Sequence, residues 1–277
     1  MPTLRYVFCD VFTDTPLTGN QLAVFTDGRA ASDEQMQQLA KEIGFSETVF
    51  VLPPQACGNA RIRIFNPLYE MDFAGHPTLG AAFVLAAPMQ LGVITLETGA
   101  GPVPVVLERD ESGRITFGRM QQPVPRVSPF PEAAALAAVG ATGSTLPIEL
   151  YENGARHVIV SFASIAELAT LRPDAEAIAA LEITGISCIV PDGDRVRSRM
   201  FWQNGEDPAT GSAAGPIACH LCRHGLVPWD TEIVIDQGIE MGRPSVLHAR
   251  AVGGDGLIDA VEVGGSAVTV ARGEFKL

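Results

Sequence analysis

Short runs in which apolar and polar residues alternate recur along most of this chain, and a period of two is typical of half-buried β-strands. In the first half the runs predict strands near 4–12, 22–25, 47–52, 60–65, 92–97, 103–109 and 114–119. In the second half they predict strands near 147–151, 156–162, 185–190 and 195–201, with four more after residue 225. Strands therefore dominate the predicted secondary structure.

Helical spacing is confined to a few segments. Ser32-Asp-Glu-Gln35 has the form of a capping box, and Gly44 ends the apolar helical period that follows it. Pro77 suits the first turn of a second helix, where its missing N–H costs nothing. The uncharged run 78–96 is interrupted by proline and glycine, so we expect a buried helix and then a strand rather than a membrane span. Further helices are predicted near 132–138, within 164–182 and over 212–224.

Two segments, one in each half, share a pattern of two arginines, a phenylalanine, an acid and then glycine before an apolar helix. The first consists of Arg61-Ile-Arg63-Ile-Phe65, Glu70 and Gly75-His76, and the second of Arg197-Ser-Arg199-Met-Phe201, Glu206 and Gly211-Ser212. Matched positions differ by the same offset of 136 residues, as 197 does from 61 and 212 from 76. This internal repeat predicts two domains of similar fold.

Each copy of the repeat is predicted to form a strand, an acidic loop and a helix N-terminus. The unpaired N–H groups and the dipole of a helix N-terminus favour an anion. If a pseudo-twofold axis relates the copies, the two helix N-termini face each other across a cleft. The sequence thus predicts an anion site flanked by acids and one histidine, with Gly75, Gly211 and Ser212 as its binding residues.

The mixed pattern indicates an α+β fold of two similar domains, each with a curled sheet around a central helix. We place the domains at 1–122 and 123–277. The last strand of the chain is also compatible with a place in the sheet of the first domain. The segment Gln121–Pro131 holds four prolines, which make it stiff and non-helical, and it is the predicted linker.

Charge and cysteine content narrow the possible functions. The chain has 19 basic and 32 acidic residues, a net charge of −13, which argues against nucleic acid or an anionic membrane as a partner. The five cysteines are an odd number and no secretory signal is evident. We therefore expect reduced thiols in a cytoplasmic protein.

Four side chains are candidates for the chemistry. His76 lies at a predicted helix N-terminus, which favours a neutral imidazole that exchanges hydrogen bonds with a ligand. In the second copy, Ser212 suits a carboxylate, and Asp207 suits an acid or a charge stabiliser. Glu47 lies between a helix end and an apolar strand, and it is either a strand-edge charge or a buried general base with a raised pKa.

Other motifs carry no prediction of chemistry. The segment Cys219-His220-Leu-Cys222-Arg-His224 has metal-like spacing, but it lies in one apolar helix and lacks a second group of ligands, so no metal site is predicted. Cys57 precedes a strand and is predicted to lie in a turn. The sequence has no Walker motif, no GxGxxG between a strand and a helix, and no GxSxG.

Segments along nearly the whole chain resemble the PhzF family of phenazine biosynthesis. They are Gly19-Asn20-Gln-Leu-Ala-Val, Ser46-Glu47-Thr-Val-Phe, Phe73-Ala-Gly-His76-Pro, Asn153-Gly-Ala-Arg-His157-Val, Arg197-Ser-Arg-Met-Phe201, Glu206-Asp207-Pro-Ala-Thr-Gly-Ser212 and Gln237-Gly-Ile-Glu-Met-Gly-Arg-Pro-Ser245. The resemblance implies a diaminopimelate-epimerase-like fold of two barrel-like halves, usually homodimeric and free of cofactor.

The resemblance also implies an activity, the isomerisation of trans-2,3-dihydro-3-hydroxyanthranilate, a small carboxylate, by a proton shift. It implies that Glu47, His76 and Asp207 are catalytic and that Ser212 binds substrate. Related racemases use two facing thiols, and neither predicted helix N-terminus here carries a cysteine.

One departure from the family pattern leaves the substrate open. Only Trp202–Gly205 separates Phe201 from Glu206, which is shorter than the family pattern. The alternatives are a PhzF-like isomerase or epimerase acting on another small amino or hydroxy acid, and a non-catalytic protein that binds small acids. Turnover separates the last of these from the enzymes.

Overall fold

A computed structural model describes residues 3–277, which form eighteen strands and six helices. The elements up to residue 122 are β1 (Thr3–Val11), β2 (Asn20–Phe25), α1 (Asp33–Ile43), β3 (Glu47–Leu52), β4 (Ala60–Phe65), β5 (Glu70–Met71), α2 (Gly75–Met89), β6 (Val93–Thr98), β7 (Gly101–Arg109) and β8 (Ile115–Gln122). The remaining elements are β9 (Arg126–Pro129), α3 (Glu132–Val139), β10 (Glu149–Glu152), β11 (Arg156–Ser161), α4 (Ile165–Thr170), α5 (Ala175–Ala180), β12 (Gly185–Asp192), β13 (Arg195–Trp202), β14 (Gly205–Asp207), α6 (Gly211–Arg223), β15 (Glu232–Gln237), β16 (Ser245–Gly254), β17 (Leu257–Gly265) and β18 (Ala267–Lys276).

The chain divides into two units. The first ends at Gln121 and also includes Gly264–Leu277, whereas the second is Gln122–Val263. The second unit therefore stops before β18, which pairs antiparallel with β1 from Thr3 to Val11. In the second unit β9 pairs with β10 in the same antiparallel sense.

In the first unit a curled sheet surrounds α2. β2 pairs antiparallel with β1 and parallel with β3, β3 is antiparallel to β4, β4 is parallel to β6, and β7 links β6 to β8. α2 contacts six of these strands, namely β18, β1, β2, β3, β6 and β7. Its residues from Gly75 to Phe83 are all buried, as expected for a helix that is apolar on every side.

α1 covers one face of the first sheet. Its apolar stripe of Met36, Leu39 and Ala40 forms a buried cluster with aromatic residues of the strands, including Phe25 and Phe50. Ser32 caps the helix with a complete capping box, and Gly44 ends it in the left-handed conformation at φ 70°. Both features were predicted from the sequence, and the structure confirms them.

The second unit repeats this topology strand by strand. β11 pairs antiparallel with β10 and parallel with β12, β12 is antiparallel to β13, β13 is parallel to β15, and β15 is antiparallel to β16. α6 takes the place of α2 and contacts β11, β15 and β16. Apolar residues of α3, α4 and α5 pack on the sheet in one buried cluster, among them Leu136, Leu168 and Ile178. The predicted α+β fold of two similar halves is confirmed.

The uncharged run 78–96 forms the end of α2 and the start of β6, as predicted. No helix within residues 3–277 is long and apolar enough to cross a membrane.

The prediction of a linker at Gln121–Pro131 is wrong for most of that segment. Gln122 ends β8, and Arg126–Pro129 forms β9, which pairs with Glu149–Glu152. Two of the prolines precede the strand, Pro129 is its last residue and Pro131 follows it. A strand tolerates prolines at these positions because no ladder hydrogen bond is lost in its middle.

Candidate functional site

The repeated acids are engaged in ion pairs within short hairpins. Glu70 and Glu206 lie in β5 and β14, each paired with the strand before it. Arg63 donates to both carboxylate oxygens of Glu70 at 2.7 and 2.6 Å, and Arg199 donates to both of Glu206 at 2.9 and 2.7 Å. The expectation of an acidic loop is thus corrected: these carboxylates are already neutralised, so neither is a free group beside an anion.

In the first unit, Glu47 and His76 come together at one edge of the sheet. Glu47 is the first residue of β3 and Asn20 is the first residue of β2. Because these two strands are parallel, their amino-terminal ends meet at the same edge. α2 begins at this edge and brings His76 to within 3.3 Å of Glu47, measured from Nε2 to Oε2.

Hydrogen bonds from Ser46 and Asn20 set the orientation of His76. The hydroxyl of Ser46 donates to Oδ1 of Asn20 at 3.1 Å, which fixes the amide so that Nδ2 faces the histidine. Nδ2 of Asn20 lies 3.4 Å from Nδ1 of His76. Nδ1 therefore acts as the acceptor, and in the neutral ring the hydrogen is on Nε2, the atom nearest Glu47.

The carboxyl group of Glu47 has a pKa close to neutral pH. Its side chain is 16% exposed, and burial raises its pKa to about 7, although interaction with the Ser46 side chain acts in the opposite direction. A carboxyl group with this pKa takes up and releases a proton near neutral pH, as general acid–base catalysis requires. Of the two alternatives drawn from the sequence, the geometry favours the buried group over the strand-edge charge.

In the second unit, Asp207 ends β14 and is held through Thr210. The hydroxyl of Thr210 donates to Oδ2 of Asp207 at 2.5 Å. Nε2 of Gln237 donates to the Thr210 hydroxyl at 2.9 Å and to the main-chain carbonyl of Asp207 at 2.8 Å. Since the hydroxyl accepts from Gln237, its own hydrogen is directed to Asp207, which suits an ionised carboxylate.

Ser212 lies in the first turn of α6, and three polar side chains hold that turn. Nε2 of His157 lies 2.9 Å from Oγ of Ser212. The amide of Asn153 donates to the Ser212 carbonyl at 2.9 Å, and the amide of Gln122 donates to the Gly211 carbonyl at 2.8 Å. The serine is thus fixed through its main chain as well as its side chain.

The two helices that begin with a predicted binding glycine share an uncapped N-terminus. Within residues 3–277, no side chain caps α2, which begins at Gly75, or α6, which begins at Gly211. α3 is uncapped as well, whereas α1, α4 and α5 have side-chain caps. An uncapped N-terminus leaves N–H groups that an anion can satisfy.

Sequence reasoning singled out Glu47, His76, Asp207 and Ser212 as candidates but missed the side chains that hold them in place. Asn20, His157, Thr210 and Gln237 were noticed at most as parts of the resembling segments. A usable signal for two of them, Asn20 and His157, was their place at or near the start of β2 and β11, which are corresponding strands of the two units.

The predicted absence of a second ligand group near His220 and His224 needs correction. Glu149 lies 3.3 Å from His220 and 3.0 Å from His224, and among residues 3–277 these three form the one group that could hold a metal ion. The same carboxylate also accepts from Tyr151 at 2.8 Å and from Arg223 at 3.2 Å. Its oxygens are thus already satisfied, and the Arg223 cation opposes a second positive charge there.

The fold is an α+β scaffold of the diaminopimelate-epimerase type, and in its first unit a buried carboxyl group lies beside an imidazole. The sequence model of the PhzC/PhzF family, described as phenazine biosynthesis-like protein, matches residues 9–273. The trans-2,3-dihydro-3-hydroxyanthranilate isomerase of Pseudomonas aeruginosa is 47% identical over 277 residues, with 99% of each chain covered.

Solved structures agree with this match. A phenazine biosynthesis protein of the PhzF family from Bacillus anthracis has a TM-score of 0.88 and 26% identity, and 100% of both chains is covered. A predicted epimerase from Pseudomonas aeruginosa has a TM-score of 0.85 and 30% identity, with 98% of this chain and 99% of the other covered. The chain belongs to the PhzC/PhzF family and is an isomerase.

Proposed function

We propose that this isomerase acts on trans-2,3-dihydro-3-hydroxyanthranilate in phenazine biosynthesis and that Glu47 carries the proton. The observation that carries the mechanism is the buried Glu47 carboxyl group, with a pKa of about 7, beside Nε2 of His76. The relative from Pseudomonas aeruginosa, 47% identical along the full chain, supports the substrate.

In this proposal the carboxylate of Glu47 removes a proton from one ring carbon, and the electrons of the broken C–H bond join the conjugated ring. The resulting carboxylic acid returns the same proton to a second ring carbon, so the product has the composition of the substrate. No oxidant or reductant is consumed. A pKa near the working pH serves both steps, because the group must first accept the proton and then release it.

The other predicted residues bind and orient the substrate. Ser212 donates its hydroxyl to the substrate carboxylate, and the N–H groups at Gly75 and Gly211, at uncapped helix N-termini, add partial positive charge. His76 and Asp207 orient the hydroxyl and amino groups of the ring. The fixed hydrogen bonds of Asp207 and Ser212 support these roles, since a pre-oriented polar group needs no rearrangement during the reaction.

The repeat supports a single carboxyl group as the base. Glu47 is the first residue of β3, and the first residue of the corresponding strand β12 is Gly185. A Cβ atom at Gly185 would lie 2.5 Å from Cε of Met200 and 2.6 Å from the carbonyl oxygen of Phe201, so no side chain fits. The second half thus offers no counterpart of Glu47, which favours a proton shift by one base over exchange between two.

The test is turnover of dihydrohydroxyanthranilate by the wild type and by Glu47→Gln, with the exposed Glu42→Gln as the matched control. We expect the Glu47 variant to lose about 10²–10⁴-fold or more in rate and to stay folded, and the control to match the wild type. In D₂O, deuterium should enter the receiving carbon in the wild type only. Turnover of another small acid, with none of this substrate, would instead support the related epimerase or isomerase.

We also propose a homodimer in the cytoplasm. The family resemblance supports the dimer, and the five cysteines, all unpaired, support a reducing compartment. Light scattering of the purified protein tests the first proposal.

A further inference from the structure

His157 in the second unit makes a contact like that of Asn20 in the first. Its place in the strand register, opposite Gly185, corresponds to that of Leu22, which lies opposite Glu47 two residues after Asn20. β11 and β2 each pair with one antiparallel and one parallel strand of their own unit. Both residues lie at the start of their strand and are buried, at 0% and 2% exposure. Each bonds to the second residue of the central helix, which is Ser212 in one unit and His76 in the other. Both units thus contain a contact that fixes the second residue of the central helix.

The ring of His157 is neutral. It is fully buried, and burial lowers its pKa to about 4. Its Nε2 lies 2.9 Å from Oγ of Ser212, and its Nδ1 is buried without a hydrogen-bond partner among residues 3–277. One ring nitrogen carries the hydrogen of a neutral imidazole, and which one decides the role of Ser212.

The hydrogen belongs on Nε2. A hydrogen on Nδ1 would leave a buried N–H without an acceptor, which is costly and rare in proteins. With the hydrogen on Nε2, His157 donates to Ser212 and the hydroxyl oxygen of Ser212 becomes the acceptor. The hydroxyl hydrogen of Ser212 then points away from His157 and remains available for another acceptor.

We propose that His157 is a positioning residue that makes Ser212 a dedicated hydrogen-bond donor to the carboxylate of the substrate. The inference rests on the proposed function in one respect, the binding of that carboxylate by Ser212. It adds that the hydrogen bond from His157 sets the direction of the Ser212 hydroxyl. At this position the site therefore selects a ligand group that accepts a hydrogen bond over one that donates it.

The test measures binding without turnover. The probes are 3-hydroxyanthranilate, the aromatic analogue of the proposed substrate, and 2-aminophenol, which lacks the carboxylate. By calorimetry, Ser212→Ala and His157→Met should each weaken 3-hydroxyanthranilate binding about tenfold or more and leave 2-aminophenol binding nearly unchanged. The double variant should bind no more weakly than Ser212→Ala, because His157 acts through the serine.

His157→Gln is the conservative variant, since its amide can donate from a position close to that of Nε2, and it should restore most of the lost affinity. Equal losses for both probes, or a full additional loss in the Ser212→Ala background, would overturn the proposal. Failure of the isomerase assay with these binding results intact would overturn only the proposed function.

Nitrogen NMR of the wild-type protein gives a test that needs no folded variant. Histidine ¹⁵N spectra at neutral pH should show His157 protonated on Nε2 and unprotonated on Nδ1. The opposite tautomer would make Ser212 the donor to the ring and would refute the proposed direction.

Discussion

The guanidinium of Arg199 donates to both carboxylate oxygens of Glu206, at 2.9 and 2.7 Å, across the hairpin of β13 and β14. The same arginine lies over the ring of Phe201, 4.8 Å from its centroid. Arg63 repeats both contacts in the first unit, with Glu70 and with Phe65 at 5.1 Å. The acid that recurs in both copies of the repeat is therefore a structural partner of the recurring arginine.

The two ion pairs should differ in strength, because Glu206 is 15% exposed and Glu70 is 40% exposed. A double-mutant cycle with Arg199→Met and Glu206→Gln should give a coupling free energy of about 1–3 kcal/mol for unfolding. The matched cycle with Arg63→Met and Glu70→Gln should give about 0.2–1 kcal/mol. Urea denaturation measures both, and a larger coupling in the first unit would contradict this ranking.

Activity should depend on the ionisation of Glu47. Since the base must be deprotonated, kcat/KM should rise with pH through about 7, the raised pKa of this group, and level off above it. Below that pH the rate should fall about tenfold for each pH unit. Initial rates at subsaturating substrate measure the profile, and a rate that stays constant from pH 5.5 to 8 would remove Glu47 from the proton transfer.

The same group should make stability depend on pH. The pKa of Glu47 in the folded protein, about 7, lies above the ordinary value of 4.5. The protonated group therefore makes its full contribution to the free energy of unfolding below about pH 4.5, and this contribution is lost as pH rises through about 7. Glu47→Gln cannot ionise and should raise the unfolding free energy at pH 8 by up to roughly 3 kcal/mol, with little change at pH 4.5. Denaturant titrations at both values measure this, and an equal effect at both would exclude ionisation as its cause.

Thr210 should matter through its hydroxyl alone. Thr210→Val keeps the shape but removes the donor that fixes Asp207, so kcat/KM should fall about 10- to 100-fold, the cost of losing a hydrogen bond to a charged group. Thr210→Ser keeps the hydroxyl and should stay close to the wild type. Kinetics with thermal unfolding as a folding control measure both, and equal losses would point to packing instead.

Alkylation of the native protein should modify one thiol. Cys57 is exposed, and the other four, Cys9, Cys188, Cys219 and Cys222, are buried. Burial raises the pKa of Cys219 to about 12 and that of Cys222 to about 11, so few thiolates form there. Mass spectrometry after iodoacetamide at pH 8 should find one adduct, none in Cys57→Ser, and unchanged activity. Loss of activity on labelling would place a thiol in the mechanism.

Most of the fold followed from local patterns. Strands such as Glu47–Leu52 and Ala60–Phe65 were predicted with the bounds that the structure has. Their alternation of apolar and polar residues and their β-branched side chains are visible within the segment itself. The error at Arg126–Pro129 has a non-local cause: that segment is a strand only because Glu149–Glu152 pairs with it, and sequence patterns do not show a partner twenty residues away.

The sequence indicated candidate chemical groups for the site but not the side chains that hydrogen-bond to them. Glu47 and His76 stood out by their position next to a strand and a helix. The contact of Asn20 with His76 depends on the parallel pairing of β2 and β3, and that of His157 with Ser212 on the packing of α6 on β11. Such contacts follow from tertiary register, which a single sequence does not reveal.

The placement of β9 and β18 limits how this chain can be divided. β9 follows β8 but pairs in the second unit, and β18 follows β17 but pairs in the first. A fragment that ended at Gln121 would leave β1 without the strand that covers its outer edge, and an exposed edge invites aggregation. If the repeat arose by duplication, two ancestral copies that exchanged their last strands would have had the same pairing. Gene fusion would then have fixed this exchange of strands within one chain.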